Sequence, residues 1–454
     1  MAFLQAAANR QSGDYQIKNS LKLENDNAEG LTRNYSGDGD RKTWTFSGWV
    51  KRTELGVEQY IFAAGHSAIK FLSNNLLRVQ LYDGSATRYA DLNRVFRDTA
   101  AWYHIVVAVD STQGTAANRV KIYINGVQNT SFNNSTYTNM SQNDEFGFGE
   151  ASSNWQVGYN FAGGSNFMGF CGYIAEFHYT DGVANAATAF GKVNDVGEWI
   201  PTGYGGSYGN KGIYMSFGNS ANLGFSSITG SFALANITAI DQATDTPTNN
   251  FAVGNPLNTN PPGIFSQGAT RWVSNNGTGM NGAWNLATIA MPAGKWHCEV
   301  KCISTTNTHY QWGISPTHPN DSFASRLMYR SDGAIYNAGS GGNTTGHASY
   351  GAGDIIGMSY DEGANTVIFS KNGTAIVTKT ALARNSAVVK NEPYFFGGTG
   401  LSSGTYTGDF NFGGYANYAI SSAATDANGY GTFEYAPPSG YYALCTKNLA
   451  ELGG

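Results

Sequence analysis

Two short segments with the same pattern constrain the fold of this chain more than any other feature. "VKIYINGVQ" and, about 250 residues later, "VIFSKNGTAI" alternate β-branched or aromatic residues with polar ones on both sides of an Asn-Gly pair. A two-residue type I′ turn needs positive φ at both central residues, which Asn and Gly adopt at the least cost. Both segments are therefore predicted to be β-hairpins, with Asn125-Gly126 and Asn372-Gly373 at their tips.

The similarity extends upstream of each hairpin. "WYHIVVAVD" ends at Asp110 and "DIIGMSYD" ends at Asp361, and each is a buried-looking strand followed by a Gly-containing turn. A chain of 454 residues exceeds the size of one hydrophobic core. Its 58 glycines, 13% aromatic residues and only 13% charged residues favour many short strands and turns. The sequence therefore predicts an all-β protein with two related β-sandwich modules.

Charge and hydrophobicity exclude two classes of partner. The formal net charge is −5 and lysines and arginines do not cluster, so nucleic acid is not an expected partner. No apolar run approaches the roughly 18 residues of a membrane helix, so no membrane insertion is expected. The opening residues, "MAFLQAAANRQSGDYQ", lack the basic start and apolar core of a secretory signal, and we expect the chain to fold where it is made.

The four cysteines are too few for a disulfide framework in a chain of this length. Cys298 and Cys302 lie in "KWHCEVKCIS", where strand alternation places them on one face and His297 and Glu299 on the other. Residues four apart on a strand are roughly 13 Å apart, too far for a disulfide or a shared metal. We expect these cysteines to be small buried hydrophobic residues.

The first half of the chain resembles a known family of sandwiches. "RKTWTFSGWVKR" provides an early Trp strand, "AWYHIVVAVDST" a Trp-x-His strand, "NRVKIYINGVQ" the hairpin and "GYIAEFHYTDGVA" a closing strand with Glu. In this order the motifs resemble the concanavalin A-like jelly roll of the laminin-G and pentraxin type. The resemblance covers about residues 14 to 200.

The second half resembles a SPRY-type domain, also a twisted β-sandwich. Its marks are "GKWHCEVKCIS", "YQWGIS", "GDIIGMSYDEGANTVIFSKNGTAI" and "PYFFGGTG", in that order. Between residues 203 and 262 the chain has the Pro-, Asn- and Gly-rich composition of a linker or long loop. The predicted organisation is an N-terminal arm (1–13), a laminin-G/pentraxin-like jelly-roll domain (14–240) and a SPRY-like domain with the Pro-rich linker (241–454).

The combination of the two modules is similar to virion surface proteins of tailed bacteriophages. That resemblance implies a non-enzymatic structural protein, assembled in the host cytoplasm and carried on the virion surface as a tail fibre-like adhesin. The implied partners are other virion proteins, contacted through the N-terminal arm, further copies of the chain in a homo-oligomer, and a host-surface glycan or receptor. Capsid decoration, as a knob or head fibre, and a polysaccharide depolymerase are the alternatives.

No catalytic constellation is recognised, so no catalytic residue is assigned. The retaining glucanase pattern on this scaffold is E-x-D-x-x-E, because alternate carboxylates of one strand must face the cleft. Glu145 and Glu150 have the outer spacing, but Gly147 replaces the central Asp, and "EFHYTD" lacks the paired carboxylate. There is no G-x-S-x-G motif and no phosphate-binding glycine loop. His104, in the "WYHIVV" strand, is expected to be structural.

Two further features are candidate binding sites. Laminin-G and pentraxin-type sandwiches often hold Ca²⁺ in edge loops, and Asp83, Asp91 and Asn93 are the candidate ligands here, although Asp-Gly is also a turn motif. No cofactor other than calcium is expected. The Gly/Ser/Asn-rich stretch around Tyr336, Asn337 and Tyr350 has the composition of a ligand-binding loop, with aromatic rings for a sugar or protein partner.

Overall fold

A computed structural model of the chain describes residues 14–151, 153–162, 166–260, 264–275, 284–305, 310–316, 326–337, 344–381, 389, 391–400 and 405–452. The predicted arm, residues 1–13, lies outside the described residues. The described residues divide into two compact units, an N-terminal unit that ends at Thr248 and a C-terminal unit that begins at Asn249. The described residues are nearly all in strands, turns and irregular loops, with one short α-helix near the C-terminus.

The described residues of the N-terminal unit form twenty strands. They are β1 (Ser20–Leu23), β2 (Gly30–Asn34), β3 (Thr43–Arg52), β4 (Gln59–Ala64), β5 (Ser67–Phe71), β6 (Leu76–Tyr82), β7 (Thr87–Val95), β8 (Tyr103–Asp110), β9 (Val120–Ile124), β10 (Val127–Gln128), β11 (Phe132–Ser135), β12 (Asn154–Val157), β13 (Tyr159–Ala162), β14 (Asn166–Gly169), β15 (Gly172–Asp181), β16 (Gly191–Val193), β17 (Trp199–Pro201), β18 (Ile213–Met215), β19 (Ala233–Ala235) and β20 (Gln242–Ala243).

Two eight-stranded sheets enclose the core of the N-terminal unit. The first sheet has the order β10-β9-β8-β3-β15-β1-β20, with β18 paired to β15, and the second has the order β11-β7-β6-β5-β4-β12-β2-β19. Phe46 of β3 stacks on Phe62 of β4 with ring centroids 6.0 Å apart, and Phe177 of β15 meets Phe62 edge-on at 5.1 Å. Since these contacts join the two sheets, the unit is a β-sandwich with an aromatic core.

The last residues of the N-terminal unit are fixed by a buried ion pair. Lys51 Nζ lies 2.7 Å from Asp245 Oδ2, with both side chains at most 1% exposed. Trp102 Nε1 donates to the other oxygen of Asp245 at 3.1 Å. The two compact units meet between Thr248 and Asn249. The predicted boundary near residue 240 lies in the Ala239–Asp241 3₁₀ turn, a few residues before that point.

Fourteen strands and the α-helix are present in the described ranges of the C-terminal unit. They are β21 (Gly254–Asn260), β22 (Ile264–Ser266), β23 (Arg271–Asn275), β24 (Trp284–Ala287), β25 (Lys295–Thr305), β26 (Tyr310–Ser315), β27 (Leu327–Arg330), β28 (Ile335–Asn337), β29 (Ile355–Asp361), β30 (Thr366–Lys371), β31 (Thr374–Thr380), β32 (Phe395–Gly400), β33 (Thr405–Asn411), β34 (Tyr442–Ala443) and α1 (Thr446–Leu452).

This unit is also a sandwich. A six-stranded sheet, β21-β24-β32-β26-β27-β28, faces an eight-stranded sheet, β22-β23-β33-β25-β29-β30-β31 with β34 paired to β25. Trp312 of β26 packs edge-on against Trp272 of β23 at 5.1 Å and against Phe410 of β33 at 5.4 Å, which joins the sheets. The predicted all-β fold class, two antiparallel β-sandwiches in tandem, is confirmed.

The four cysteines are free and buried, which confirms the prediction for Cys298 and Cys302. The opposite face of β25 is buried as well. His297 is 3% exposed and packs edge-on against Phe433, while Glu299 is 1% exposed and accepts hydrogen bonds from the backbone N–H groups of Glu434 and Tyr435. The segment around residue 434 therefore covers this face of the strand.

Both Asn-Gly hairpins form as predicted. Asn125 and Gly126 have φ of 49° and 80°, and Asn372 and Gly373 have φ of 48° and 80°, as a type I′ turn requires. Each Asn also binds the neighbouring strand. Its backbone N–H donates to the carbonyl of one residue, His104 or Ile355, and its Oδ1 accepts the N–H of that same residue at 2.8 Å.

Candidate functional site

The described residues on either side of the predicted binding loop are 335–337, which form β28, and 344–350, which lead to the buried Tyr350. Tyr350 is 6% exposed and packs against Tyr310 and Tyr329, and its hydroxyl donates to the Tyr329 carbonyl at 2.6 Å. It is therefore a core residue, and its role as a ligand contact stays a prediction. Tyr336 is partly exposed on β28, and the backbone of Asn337 pairs with Leu327 at the end of the same strand.

The three candidate calcium ligands are also separated. Asp83 Oδ1 accepts the N–H groups of Ser85 and Ala86 in a tight turn. Asp91 lies four residues along β7 from the hairpin end, about 13 Å away, and forms a two-bond ion pair with Arg78 at 2.6 and 2.7 Å. Asn93 is exposed. Within the described ranges, no group of three or more His, Cys, Asp or Glu side chains is placed to hold a metal.

Close packing explains why the glucanase pattern is broken at Gly147. A Cβ at this position would lie 2.3 Å from the Gly65 carbonyl oxygen and 2.4 Å from the Ala64 carbonyl oxygen. No Asp can be placed there without moving the β4–β5 turn. Glu145 and Glu150 instead lie on either side of Arg41, at 3.5 and 3.2 Å.

A Ser-His pair on the first sheet lacks the tautomer that a general base needs. His104 Nε2 lies 2.9 Å from Ser47 Oγ, but His104 Nδ1 is 3.0 Å from the indole N–H of Trp199. Because an indole can only donate, Nδ1 must accept and Nε2 carries the proton. Burial lowers the pKa of His104 to about 3, with a further contribution from His178. His104 is therefore a neutral, structural histidine.

Glu176, in the same region, has a strained backbone. It occupies a bulge in β15 at φ 49°, and its side chain is 6% exposed. Its carboxylate accepts the hydroxyls of Tyr15 and Tyr214 at 3.1 and 3.2 Å and lies 3.2 Å from His178 Nε2. These groups pack together without a water-sized cavity. The hydrogen bond from Tyr15 to Glu176 therefore holds the Tyr15 segment against the sheet, and the close packing leaves no room for a ligand.

An open groove of about 430 Å³ lies on the outer face of the second sheet. Its floor follows from strand register. Ala63 of β4 pairs with Ala68 of β5, Ala63 also pairs with Gln156 of β12, and Ala68 pairs with Gln80 of β6. The inward-facing neighbours Phe62 and Ile69 belong to the core. Ala63, Ala68 and Gln156 are 4%, 2% and 4% exposed and form the bottom of the groove, where Met168 of β14 packs against the alanines.

The β4–β5 turn forms one rim of the groove. It is a two-residue turn, with Gly65 and His66 at φ of 50° and 67°. Gln80 Nε2 donates to the His66 carbonyl at 2.8 Å, and the His66 ring packs edge-on against Tyr82 at 5.2 Å. The complete lining is Tyr60, Ala63, Ala64, Gly65, His66, Ser67, Ala68, Gln80, Glu150, Ser153, Asn154, Gln156 and Asn160.

The groove offers hydrogen-bonding groups of both kinds. Asn154 Oδ1 accepts the Thr32 hydroxyl, which leaves the side-chain amide N–H groups of Asn154 as donors. Gln80 uses its Nε2 on the His66 carbonyl, which leaves Oε1 as an acceptor. Glu150 accepts the Ser153 hydroxyl at 2.6 Å and adds carboxylate lone pairs. Small polar groups over an apolar floor suit a ligand with many hydroxyls.

Sequence reasoning missed the groove because its floor consists of alanines, which carry no chemistry of their own. The signal that could have revealed it is the pair of small residues on each side of the Gly-His turn in "QYIFAAGHSAIKF". If that turn is recognised as two residues long, strand alternation places one alanine of each strand opposite the other on the outer face.

Comparison with known proteins agrees with the fold of the N-terminal unit. Residues 25–188 match the model of the laminin-G-type family described as the concanavalin A-like lectin/glucanases superfamily. The resemblance predicted from the motifs is thus supported over that range. The sequence has no match among curated proteins. Among the described residues, no helix is both long and apolar enough to cross a membrane.

Solved structures of similar fold are distant in sequence. The SPRY domain of human HERC1 is 22% identical, with 35% of this chain and 96% of that chain covered and a TM-score of 0.28. A putative carbohydrate-binding protein from Bacteroides ovatus is 14% identical, with 38% and 46% covered and a TM-score of 0.30. Domains LG4-5 of the mouse laminin alpha1 chain are 8% identical, with 91% and 85% covered and a TM-score of 0.30.

Proposed function

We propose that this is a non-enzymatic carbohydrate-binding protein and that the N-terminal unit binds a glycan in the alanine-floored groove. The observation that carries the proposal is the lining itself. Amide side chains and one carboxylate surround an apolar floor in a cavity of about 430 Å³. Sugar rings need this combination, because they present hydroxyls at the edge and C–H groups on the face.

A binding role fits the lining better than hydrolysis. Glycoside hydrolysis uses two carboxylates separated by roughly 5 to 9.5 Å. Among the described residues that line the groove, Glu150 is the one acid, and it is engaged by Arg41 and Ser153. We therefore expect no release of reducing ends from any polysaccharide that binds. Steady release that disappears in Glu150→Gln would favour a hydrolase instead.

Filling the groove with a larger side chain tests the proposed binding site. Ala68→Leu places a larger side chain on the groove floor, while the inward-facing neighbour Ile69 stays unchanged. Glycan-array or calorimetric binding should fall at least tenfold. Because Ala68 is 2% exposed and packs with Tyr60, Ala63 and Met168, the melting temperature should fall as well, and binding is measured well below it. Ala221→Leu, at an exposed position of the same unit, is the matched control. Equal glycan binding by wild type and Ala68→Leu would place the site elsewhere.

We also propose, from the sequence resemblance, that the protein is carried on a virion surface as a tail appendage, with capsid decoration as the alternative. Quantitative mass spectrometry of purified particles distinguishes the two. A copy number that is a small multiple of three or six supports the tail, whereas tens to hundreds of copies support the capsid. Absence from purified particles would refute both assignments.

A further inference from the structure

The charges around the groove define the class of glycan that fits it. We propose that the groove selects uncharged saccharides and rejects uronic acid and sulfated ones, with Glu150 as the specificity-determining residue. This inference rests on the proposed glycan-binding function.

Glu150 is placed to face the ligand. Its side chain lines the groove and is 38% exposed. One carboxylate oxygen lies 3.2 Å from Arg41 Nη2, and the other accepts the Ser153 hydroxyl at 2.6 Å. A carboxylate oxygen has two lone-pair sites, so both oxygens can accept one more hydroxyl. A sugar hydroxyl can donate to them, whereas a ligand carboxylate or sulfate brings only acceptors and a like charge.

The nearby cations cannot compensate for a ligand anion. Arg41 already contacts Glu145 and Glu150 and donates its Nε to the Phe146 carbonyl. Lys70 is 7% exposed and is bound by Glu58 and by the Tyr60 hydroxyl, both at 2.8 Å. Neither cation is among the groove-lining residues. An anionic ligand would have to break one of these pairs to gain a cationic partner.

Arg78, on the strand that also carries Gln80, is likewise paired with an acidic residue. Its guanidinium makes two hydrogen bonds to Asp91 at 2.6 and 2.7 Å and stacks on the Tyr89 ring at 4.4 Å. A planar two-bond pair of this kind is among the strongest charge-assisted contacts. The described lining of the groove therefore holds one carboxylate, that of Glu150, with no lysine or arginine, and His66 on its rim.

The experiment compares matched ligands. β-1,4-Glucan and β-1,4-mannan oligosaccharides are tested beside their C6-carboxylate counterparts, which keep the ring stereochemistry, and dextran is tested beside dextran sulfate. Wild-type protein should bind the neutral member of any recognised pair at least tenfold more tightly. Glu150→Gln should reduce that preference by about tenfold, because the amide accepts and donates without charge. Raising the salt concentration should reduce the wild-type preference as well.

Glu145→Gln is the matched control, since Glu145 also lies 3.5 Å from Arg41 but does not line the groove. It should leave the preference unchanged. Equal binding of a neutral oligosaccharide and its uronate would overturn the inference while leaving the glycan site in place. An equal effect of Glu145→Gln and Glu150→Gln would also overturn it, because the general field of the surface would then be responsible. If no saccharide binds, the proposed function itself fails together with the inference.

Discussion

Glycine at each hairpin tip is required on two separate physical grounds. Gly126 and Gly373 both have φ of 80°, and a Cβ there would lie 2.3 Å from the Trp199 ring and 2.6 Å from the Tyr435 ring, respectively. Backbone strain at positive φ costs about 1 to 3 kcal/mol, and the ring contact adds to it. Gly126→Val and Gly373→Val should each destabilise their own unit by about 2 kcal/mol or more in urea unfolding.

Gly84→Val separates the two contributions, because Gly84 has φ of 91° but open space around its Cβ position. It should cost only the strain, about 1 kcal/mol. Equal losses for Gly84→Val and Gly126→Val would mean that the contact with Trp199 contributes nothing.

Glu299 should make the C-terminal unit sensitive to pH. Burial raises the pKa of Glu299 to about 7, against about 4.5 for an ordinary glutamate. A carboxyl whose pKa is raised by folding favours the protonated native state. Its stabilising contribution is complete below about pH 4.5, declines as the pH rises and is lost above about pH 7. The unfolding free energy of this unit should therefore fall between pH 5 and pH 8.

Glu299→Gln should flatten that dependence, because the amide does not titrate. Glu451→Gln, on the exposed face of α1, should retain it. Denaturant unfolding followed at several pH values measures both. A wild-type curve that is already flat over this interval would contradict the assignment to Glu299.

At the scale of elements, each hairpin is fastened by its Asn side chain to the strand beside it. Asn125→Ala should remove the acceptor for the His104 N–H and cost about 1 to 2 kcal/mol. Asn125→Asp keeps an acceptor oxygen and should cost much less. Asn372→Asp should be as damaging as Asn372→Ala, because the lost amide N–H donates to Asp354 at 2.8 Å and a carboxylate would repel it.

These four variants, measured by urea unfolding, test the two hairpins against each other. The same cost for Asp at both positions would show that Asp354 does not distinguish them. Different costs for Asp at the two positions would show that hairpins with one turn type can differ in the side chain they require.

The hairpins could be predicted because their information is local. Two Asn-Gly pairs and the alternation around them suffice to define turn, register and facing residues. The fold class followed from many such segments. The role of Tyr350 could not be predicted, since its partners Tyr310 and Tyr329 are 40 and 21 residues away along the chain. The groove needed the lateral order of four strands, and only pairing in three dimensions establishes that order.

At the scale of the whole molecule, the buried Lys51–Asp245 ion pair holds the last residues of the N-terminal unit to its sheet. Removing one partner of a buried ion pair leaves an uncompensated charge and costs about 3 to 5 kcal/mol. Asp245→Ala should therefore destabilise this unit strongly, and the double variant Lys51→Met/Asp245→Leu should recover most of the loss. Thermal melting of the chain is the measurement.

Truncation tests the same point independently. A chain that ends at residue 248 retains Asp245, whereas one that ends at 240 loses it and should be far less stable. Equal stability of the two truncated chains would show that residues 241–248 are dispensable for this unit.

The alanine floor also has an evolutionary consequence. On β4 and β5 the residues that line the groove and those that form the main core occupy opposite faces, as Ala63 and Phe62 do on one strand. Mutation of Ala63 or Ala68 therefore leaves the main-core neighbours Phe62 and Ile69 in place and changes the smaller outer cluster with Tyr60 and Met168. Under the proposed function, a lineage that carries this sandwich can diverge in the saccharide it binds through changes in this outer cluster alone.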